Sequence, residues 1–267
     1  MTRKLILAAM LVAVPVISSA QMFSTSFETA QGYTGGGGTN LAGQQGWTAG
    51  TGASATAFRV FTAAPVAFTG SNGVLANYSG TGSDVSSVGK SIGSITSGPI
   101  SITSKMWIDP NFFQANRIFG IFMNSSASLS GTSFHGLGID GAGNLRAATN
   151  YSDFWGTGGV RSTRSFGDVT NRWLTLNMTY NPTAASNGVT YTISGMGGTS
   201  TFAFTASRGG TAVINTVGMA SDWVAQSNYQ GQAAFDDFSV QAVPEPATMA
   251  ALALGLGMVA RRRRSKK

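Results

Sequence analysis

The chain of 267 residues carries 17 Lys+Arg against 10 Asp+Glu, one histidine, no cysteine and 36 glycines, and only 10% of its residues are charged. Disulfides and thiolate metal sites are thereby excluded, and low charge with high glycine and abundant threonine points to an all-β exported domain rather than a cytosolic α/β enzyme. The net charge of +7 does not indicate a nucleic-acid partner: without Arg3, Lys4 and the six basic residues near the C-terminus, residues 21–243 hold nine basic and nine acidic side chains, too balanced to build a phosphate-binding stripe.

In chain order, Arg3 and Lys4 precede an apolar run from Leu5 to Ile17 that ends in Ser18, Ser19 and Ala20. This is the three-part pattern of a secretory signal peptide, so residues 1–20 are expected to be removed after Ala20. From there, segments of period two recur, the signature of half-buried strands. They are Ala57–Phe61, Val74–Tyr78, Ile100–Ile108, Ile118–Met123, Phe134–Asp140, Leu145–Thr149, Leu174–Tyr180, Val189–Ser194, Thr201–Thr205, Val213–Met219 and Ala234–Val240. Ile100, Ile102, Met106 and Ile108 share a face opposite Ser101, Thr103 and Lys105, and Ile118–Met123 is apolar on both faces, as a central strand is. Asn72-Gly73 and Asn187-Gly188 suit turns of positive φ, and Asp140-Gly141-Ala142-Gly143-Asn144 suits a short hairpin. Gly35–Gly38 lacks a following Lys-Ser/Thr helix start and reads as a flexible loop, not a phosphate cradle. No segment carries a helical period. About a dozen strands without helices predict two antiparallel sheets packed face to face, a jelly-roll sandwich over residues 21–242.

The C-terminal segment, 243–267, has three parts. Val243-Pro244-Glu245-Pro246 is extended by its prolines, Ala247–Ala260 is an apolar run of 14 residues, and Arg261, Arg262, Arg263 and Arg264 follow it. The run is short for a membrane span but reaches one with snorkelling arginines, and positive charge keeps its far end cytoplasmic. This order resembles the PEP-CTERM sorting signal of exported proteins of Gram-negative bacteria. The resemblance implies a transient anchor in the inner membrane, cleavage near Pro244-Glu245-Pro246 by an exosortase, and delivery to the cell surface or extracellular matrix in company with exopolysaccharide. It implies nothing about the body.

The body resembles concanavalin A-like, laminin G-like jelly-roll domains. Phe27-Glu28, Leu41-Ala42-Gly43-Gln44-Gln45-Gly46-Trp47, the Ile139–Leu145 hairpin and Phe235-Asp236-Asp237-Phe238-Ser239-Val240 carry the likeness. It implies a structural calcium tying the first strand to the last through Glu28 and Asp236. Asp236 has the parity of Phe238 and Val240, and an inward carboxylate needs either an ion or a hydrogen-bonding partner.

Catalytic constellations are scarce. Only Glu28 and Glu245 are glutamates, so no closely spaced carboxylate pair of the retaining kind can be placed by motif. No Gly-x-Ser-x-Gly elbow accompanies His135, which shares a face with Leu137 and Ile139 and reads as a packed core residue. Tyr151, Phe154 and Trp155 crowd a Gly/Ser-rich stretch, and Trp223 stands in another. Exposed rings of this kind stack on sugar C–H faces, so these four are the candidate ligand platform. The reading is a non-enzymatic surface protein, structural or glycan-binding; the alternative is a polysaccharide lyase or hydrolase on the same scaffold.

Overall fold

The computed structural model describes residues 21–50, 58–62, 67–76, 86–110, 118–127, 129, 133–156, 159–184, 188–198, 201–207, 213–221 and 233–243. The signal segment ending at Ala20, Trp223, and the tail containing Pro244, Glu245, Pro246 and Arg261–Arg264 lie outside these residues. The first strands are β1 (Gln21–Thr25), β2 (Gly37–Asn40), β3 (Trp47–Ala49), β4 (Phe58–Phe61) and β5 (Gly73–Ala76), with one 3-10 turn at Thr29–Gln31. Then come β6 (Ser86–Ile95), β7 (Ile100–Ile108), β8 (Ile118–Asn124), β9 (His135–Asp140), β10 (Asn144–Ala148), α1 (Tyr151–Trp155), β11 (Val160–Thr163) and α2 (Phe166–Val169). The last are β12 (Trp173–Tyr180), β13 (Val189–Ser194), β14 (Thr201–Ala206), β15 (Ile214–Ser221) and β16 (Ala233–Ala242).

The strands form two antiparallel sheets. One has nine strands in the order β14-β13-β12-β7-β16-β5-β4-β2, with β1 also paired to β16; the other has seven in the order β11-β10-β9-β8-β15-β6-β3. The predicted jelly-roll sandwich is the observed architecture. The first strand pairs with the last, Ser24 opposite Ser239, so the ends of the domain meet.

The alternation seen in the sequence is the alternation of burial. On β7, β12 and β13 every second residue is buried, including Ile102, Met106, Leu176, Met178, Tyr191 and Ile193. These meet Phe119, Ile121, Met123, Leu137 and Ile139 of the seven-stranded sheet in one core. Each such side chain contributes about 1.5–3 kcal/mol by leaving water. Tyr191 also ties the layers, its hydroxyl donating to the Ala148 carbonyl at 2.9 Å; burial pushes its pKa up. His135 is buried with its ring 5.4 Å from that of Tyr180. Trp47, which closes the Leu41–Trp47 motif, lies in the core and donates its indole N–H to the Tyr33 hydroxyl at 2.9 Å.

A second apolar cluster sits apart from the main core. Ile118, Phe122, Ala148 and Ala220 are covered there by Leu129, Phe134 and Phe154. A Cβ at Gly136 would come within 2.7 Å of the Phe134 and Phe154 rings, and one at Gly218 within 2.7 Å of Phe122, so glycine is what lets the rings settle on the strands. Strand β8 is therefore buried along its whole length.

Three local expectations change. Gly37 and Gly38 belong to an edge strand, β2, not to a loop. Asn72-Gly73 is not a positive-φ turn: Asn72 is buried, its amide donating to the Phe27 carbonyl at 3.3 Å, and Gly73 begins β5. Two short helices occur where none was expected. In α1 the Asn150 side chain accepts from the Asp153 amide at 2.7 Å, a local cap that forms a single turn with no periodicity to reveal it.

Candidate functional site

The acidic residues at the domain edge meet at a seam. Strand β16 pairs with β5 through residues 233–235 and with β1 from residue 238 onward, and between these partners its register with β7 shifts across Asp236–Ser239. Asp237 takes φ 46° at this bulge. The extra residue corrects the parity expected for Asp236. Phe235 and Phe238 both enter the core, while Asp236 pairs with Lys105 and turns away from Phe238 and Val240. Its carboxylate is buried beneath the β4–β5 loop, where Oδ2 accepts from Phe68 N at 2.7 Å and Thr69 N at 2.9 Å and Oδ1 accepts from Asp237 N at 2.7 Å. Burial raises its pKa to about 6, against the lowering effect of these bonds.

Glu28 grips the same loop. Its Oε1 accepts from Ser71 N at 2.8 Å and Asn72 N at 2.9 Å. A calcium ion needs oxygen ligands, and here the loop presents N–H donors to both carboxylates. No cluster of three or more His, Cys, Asp or Glu able to hold a metal occurs among the described residues. As placed, Glu28 and Asp236 do not fit a shared ion; they clamp a loop.

The aromatic stretch resolves into α1. Phe154 is fully buried in the second cluster, its ring 5.3 Å from that of Phe134, so it is no ligand platform. Trp155 packs edge-on against Phe154 at 4.6 Å, and Tyr151 lies 6.0 Å from Trp155; both are half-buried. Gly and Ser around aromatics predict exposure, but the Phe154 ring folds back onto Gly136 of β9, and Tyr151 and Trp155 pack against the same cluster. Below α1, buried Arg146 pairs with buried Asp140 at 2.7 Å and donates to the Gly156 carbonyl at the end of the helix. Asp140 also accepts from the Ala142 and Asn144 amides, which closes the predicted hairpin around Gly143 at φ 84°.

A different surface brings sugar-binding chemistry together. Antiparallel partners share a face, so the registers place rows of side chains across the outside of the nine-stranded sheet. One row is Gln241, Ser101, Thr179, Thr190 and Thr205; the next is Ser239, Thr103, Asn177, Thr192 and Ala203. The third is Asp236, Lys105, Thr175, Ser194 and Thr201, and the last joins Ala234, Trp107 and Trp173. Asn177 donates to the Ser101 and Thr103 hydroxyls at 2.7 and 2.8 Å, which fixes the middle of the face. The Lys105 ammonium donates to the Thr175 hydroxyl at 2.8 Å and lies 4.4 Å from the centre of the Phe68 ring.

Trp107 and Trp173 are direct cross-strand partners and half-buried, with Phe68, 42% exposed, edge-on to Trp173 at 5.5 Å. At the β1–β16 seam, Ser24, Ser26, Gln31, Asp237 and Ser239 help line an open hollow of about 240 Å³. Aromatic rings at one end and hydroxyls and amides beside them can stack on a sugar and bond its hydroxyls. Trp107 and Trp173 are strand residues of β7 and β12. Their parity with Lys105 and Thr175 was the signal that places them on the outer face.

The model of the PEP-CTERM protein-sorting motif matches residues 242–264. The chain thus carries an exosortase sorting signal and is an exported protein. A search of curated proteins finds no match. Among solved structures, lectin II from Ulex europaeus is similar with a TM-score of 0.51 at 8% identity, over 77% of this chain and 96% of that one. Arcelin-5, a lectin-like defense protein from Phaseolus vulgaris, gives 0.52 at 8% identity over 84% and 98%. A lectin UEA-II complexed with galactose gives 0.52 at 9% identity over 83% and 98%. At these identities the likeness is one of fold, and the fold is that of the concanavalin A-like jelly rolls.

Proposed function

We propose that the protein is processed by an exosortase, released to the cell surface or matrix, and there holds exopolysaccharide on the outer face of its nine-stranded sheet without cleaving it. The observation that carries this reading is the cross-strand pair Trp107–Trp173 beside rows of Ser, Thr and Asn. Stacking on the rings supplies affinity, and the fixed hydroxyl and amide groups supply orientation. The galactose in a lectin of similar fold supports glycan recognition by such a scaffold. The non-catalytic part rests on carboxylate use. Glu28 and Asp236 accept from loop amides, Asp140 from Arg146 and Asp153 from the Asn150 side-chain amide. All four are taken up by the fold, Asp236 beside Asp237 at the same Thr69, and no motif places a retaining pair among them.

The test is a glycan array with the processed protein, followed by titration of the polysaccharide that binds. Trp107→Ala and Trp173→Ala should each weaken binding about tenfold, or about 1.4 kcal/mol, while Trp155→Ala leaves it unchanged. No reducing ends or unsaturated products should form on prolonged incubation. Steady release of either makes the protein a degrading enzyme instead, and full binding by both tryptophan variants removes the site.

A further inference from the structure

We propose that the protein pairs with a second copy of itself, edge to edge, through β14. A sheet edge left open is a template for another strand, and proteins blunt such edges with bulges, charge or short length. Among the described residues five strands have an open edge and four of these are blunted, β1 among them, with five residues and a register shift between Gln21 and Phe23. Strand β2 has four residues and a register shift, β3 has three residues, and β11 has a register shift and carries Arg161. Strand β14 has six residues in unbroken register with β13, with no charge and no proline. Among the described residues nothing pairs with its outer edge.

The strand itself identifies the occupant. Thr201-Phe202-Ala203-Phe204-Thr205 reads the same in both directions. Antiparallel pairing about a two-fold axis at Ala203 sets Phe202 against Phe204 of the second copy, and Thr201 against Thr205. Partners must share a face, so the axis can pass only through a residue, not between two. Shifting it to Phe202 or Phe204 sets threonine against alanine and leaves one phenylalanine without an aromatic partner. Only the Ala203 centre matches every side chain with its like. Phe202 and Phe204 pack on the core side, with the Arg161 guanidinium 4.8 Å from the centre of the Phe204 ring, while Thr201, Ala203 and Thr205 are exposed. The strand brings no like charges together, and the contact is isologous and closes on itself. It would also carry the hydroxyl rows across both copies, though it does not depend on glycan binding.

The experiment is sedimentation velocity on the processed protein over a range of concentrations. A mass of two chains is expected, reduced to one chain by Ala203→Lys, which sets two ammonium groups against each other on the exposed face and leaves the circular dichroism unchanged. Because the chain has no cysteine, Ala203→Cys should yield a disulfide-linked dimer on mild oxidation, whereas Thr183→Cys, in an exposed loop, should not. One-chain mass at every concentration, a dimer that survives Ala203→Lys, or equal cross-linking by both cysteine variants would overturn the proposal.

Discussion

Asp236 shows how one side chain couples the seam to pH. Its carboxyl is buried and titrates at about 6, above its ordinary 3.8. Between these values the native state still holds a proton that the unfolded chain has released. Stability therefore falls as pH rises from about 4 to about 6 and stays at the lower level above it, by at most about 3 kcal/mol from this group. Urea unfolding at pH steps across that window should show the slope, and Asp236→Asn should flatten it. A second measurement concerns the same carboxylate. With both acids already taking N–H donors, added calcium and a chelator should give the same melting curve. A calcium-dependent rise lost in Glu28→Ala would place an ion between Glu28 and Asp236 after all, because binding to the native state alone stabilises it. Strict alternation cannot reveal the outward turn of Asp236, since a bulge is decided by where β16 changes partners from β5 to β1. The outward turn of Trp107 was legible, because β7 keeps its alternation to Ile108.

At the scale of elements, α1 is held to the sheet by packing more than by its own turn. A helix of five residues has little intrinsic stability. Its Asn150 cap, the Arg146 bond to Gly156 and the burial of Phe154 against Phe122 and Phe134 fix it over β9 and β10. Phe154→Ala should cost about 3–5 kcal/mol, as loss of a buried large aromatic does, and leave glycan affinity unchanged in the fraction that remains folded. Thermal denaturation and titration of one preparation would show both. Strands such as β7, β12 and β13 were legible in the sequence because one face is wet and the other dry, so polarity records the fold. Strands β1, β2, β3, β6 and β11 were not: they are short, glycine- or serine-rich, or buried on both faces, and leave no alternation to read. The satellite cluster was hidden for a related reason, since its floor is glycine and its lid is a single helical turn.

For the whole molecule, the limits of the sandwich bear on how the chain is processed. Strand β1 begins at Gln21, the residue that follows the expected signal-peptide cut, and Gln21 lies opposite Gln241 near the end of β16. The last backbone bond described runs from Val243 N to the Pro99 carbonyl at 2.7 Å, just before Pro244-Glu245-Pro246. Both cuts would leave the sheet pairing intact, and both would fall at one end of the molecule, because β1 and β16 are antiparallel. No helix among the described residues is long and apolar enough to cross a membrane. Mass spectrometry of the protein from the cell surface should find a first peptide starting at Gln21 and none from 247–267. Because both cuts leave β1 and β16 whole, the trimmed protein should melt at the same temperature as a chain retaining its tail in detergent. Recovery of tail peptides from the mature form would make the C-terminal segment a permanent anchor, and a lower melting temperature after trimming would mean that the tail packs on the sandwich.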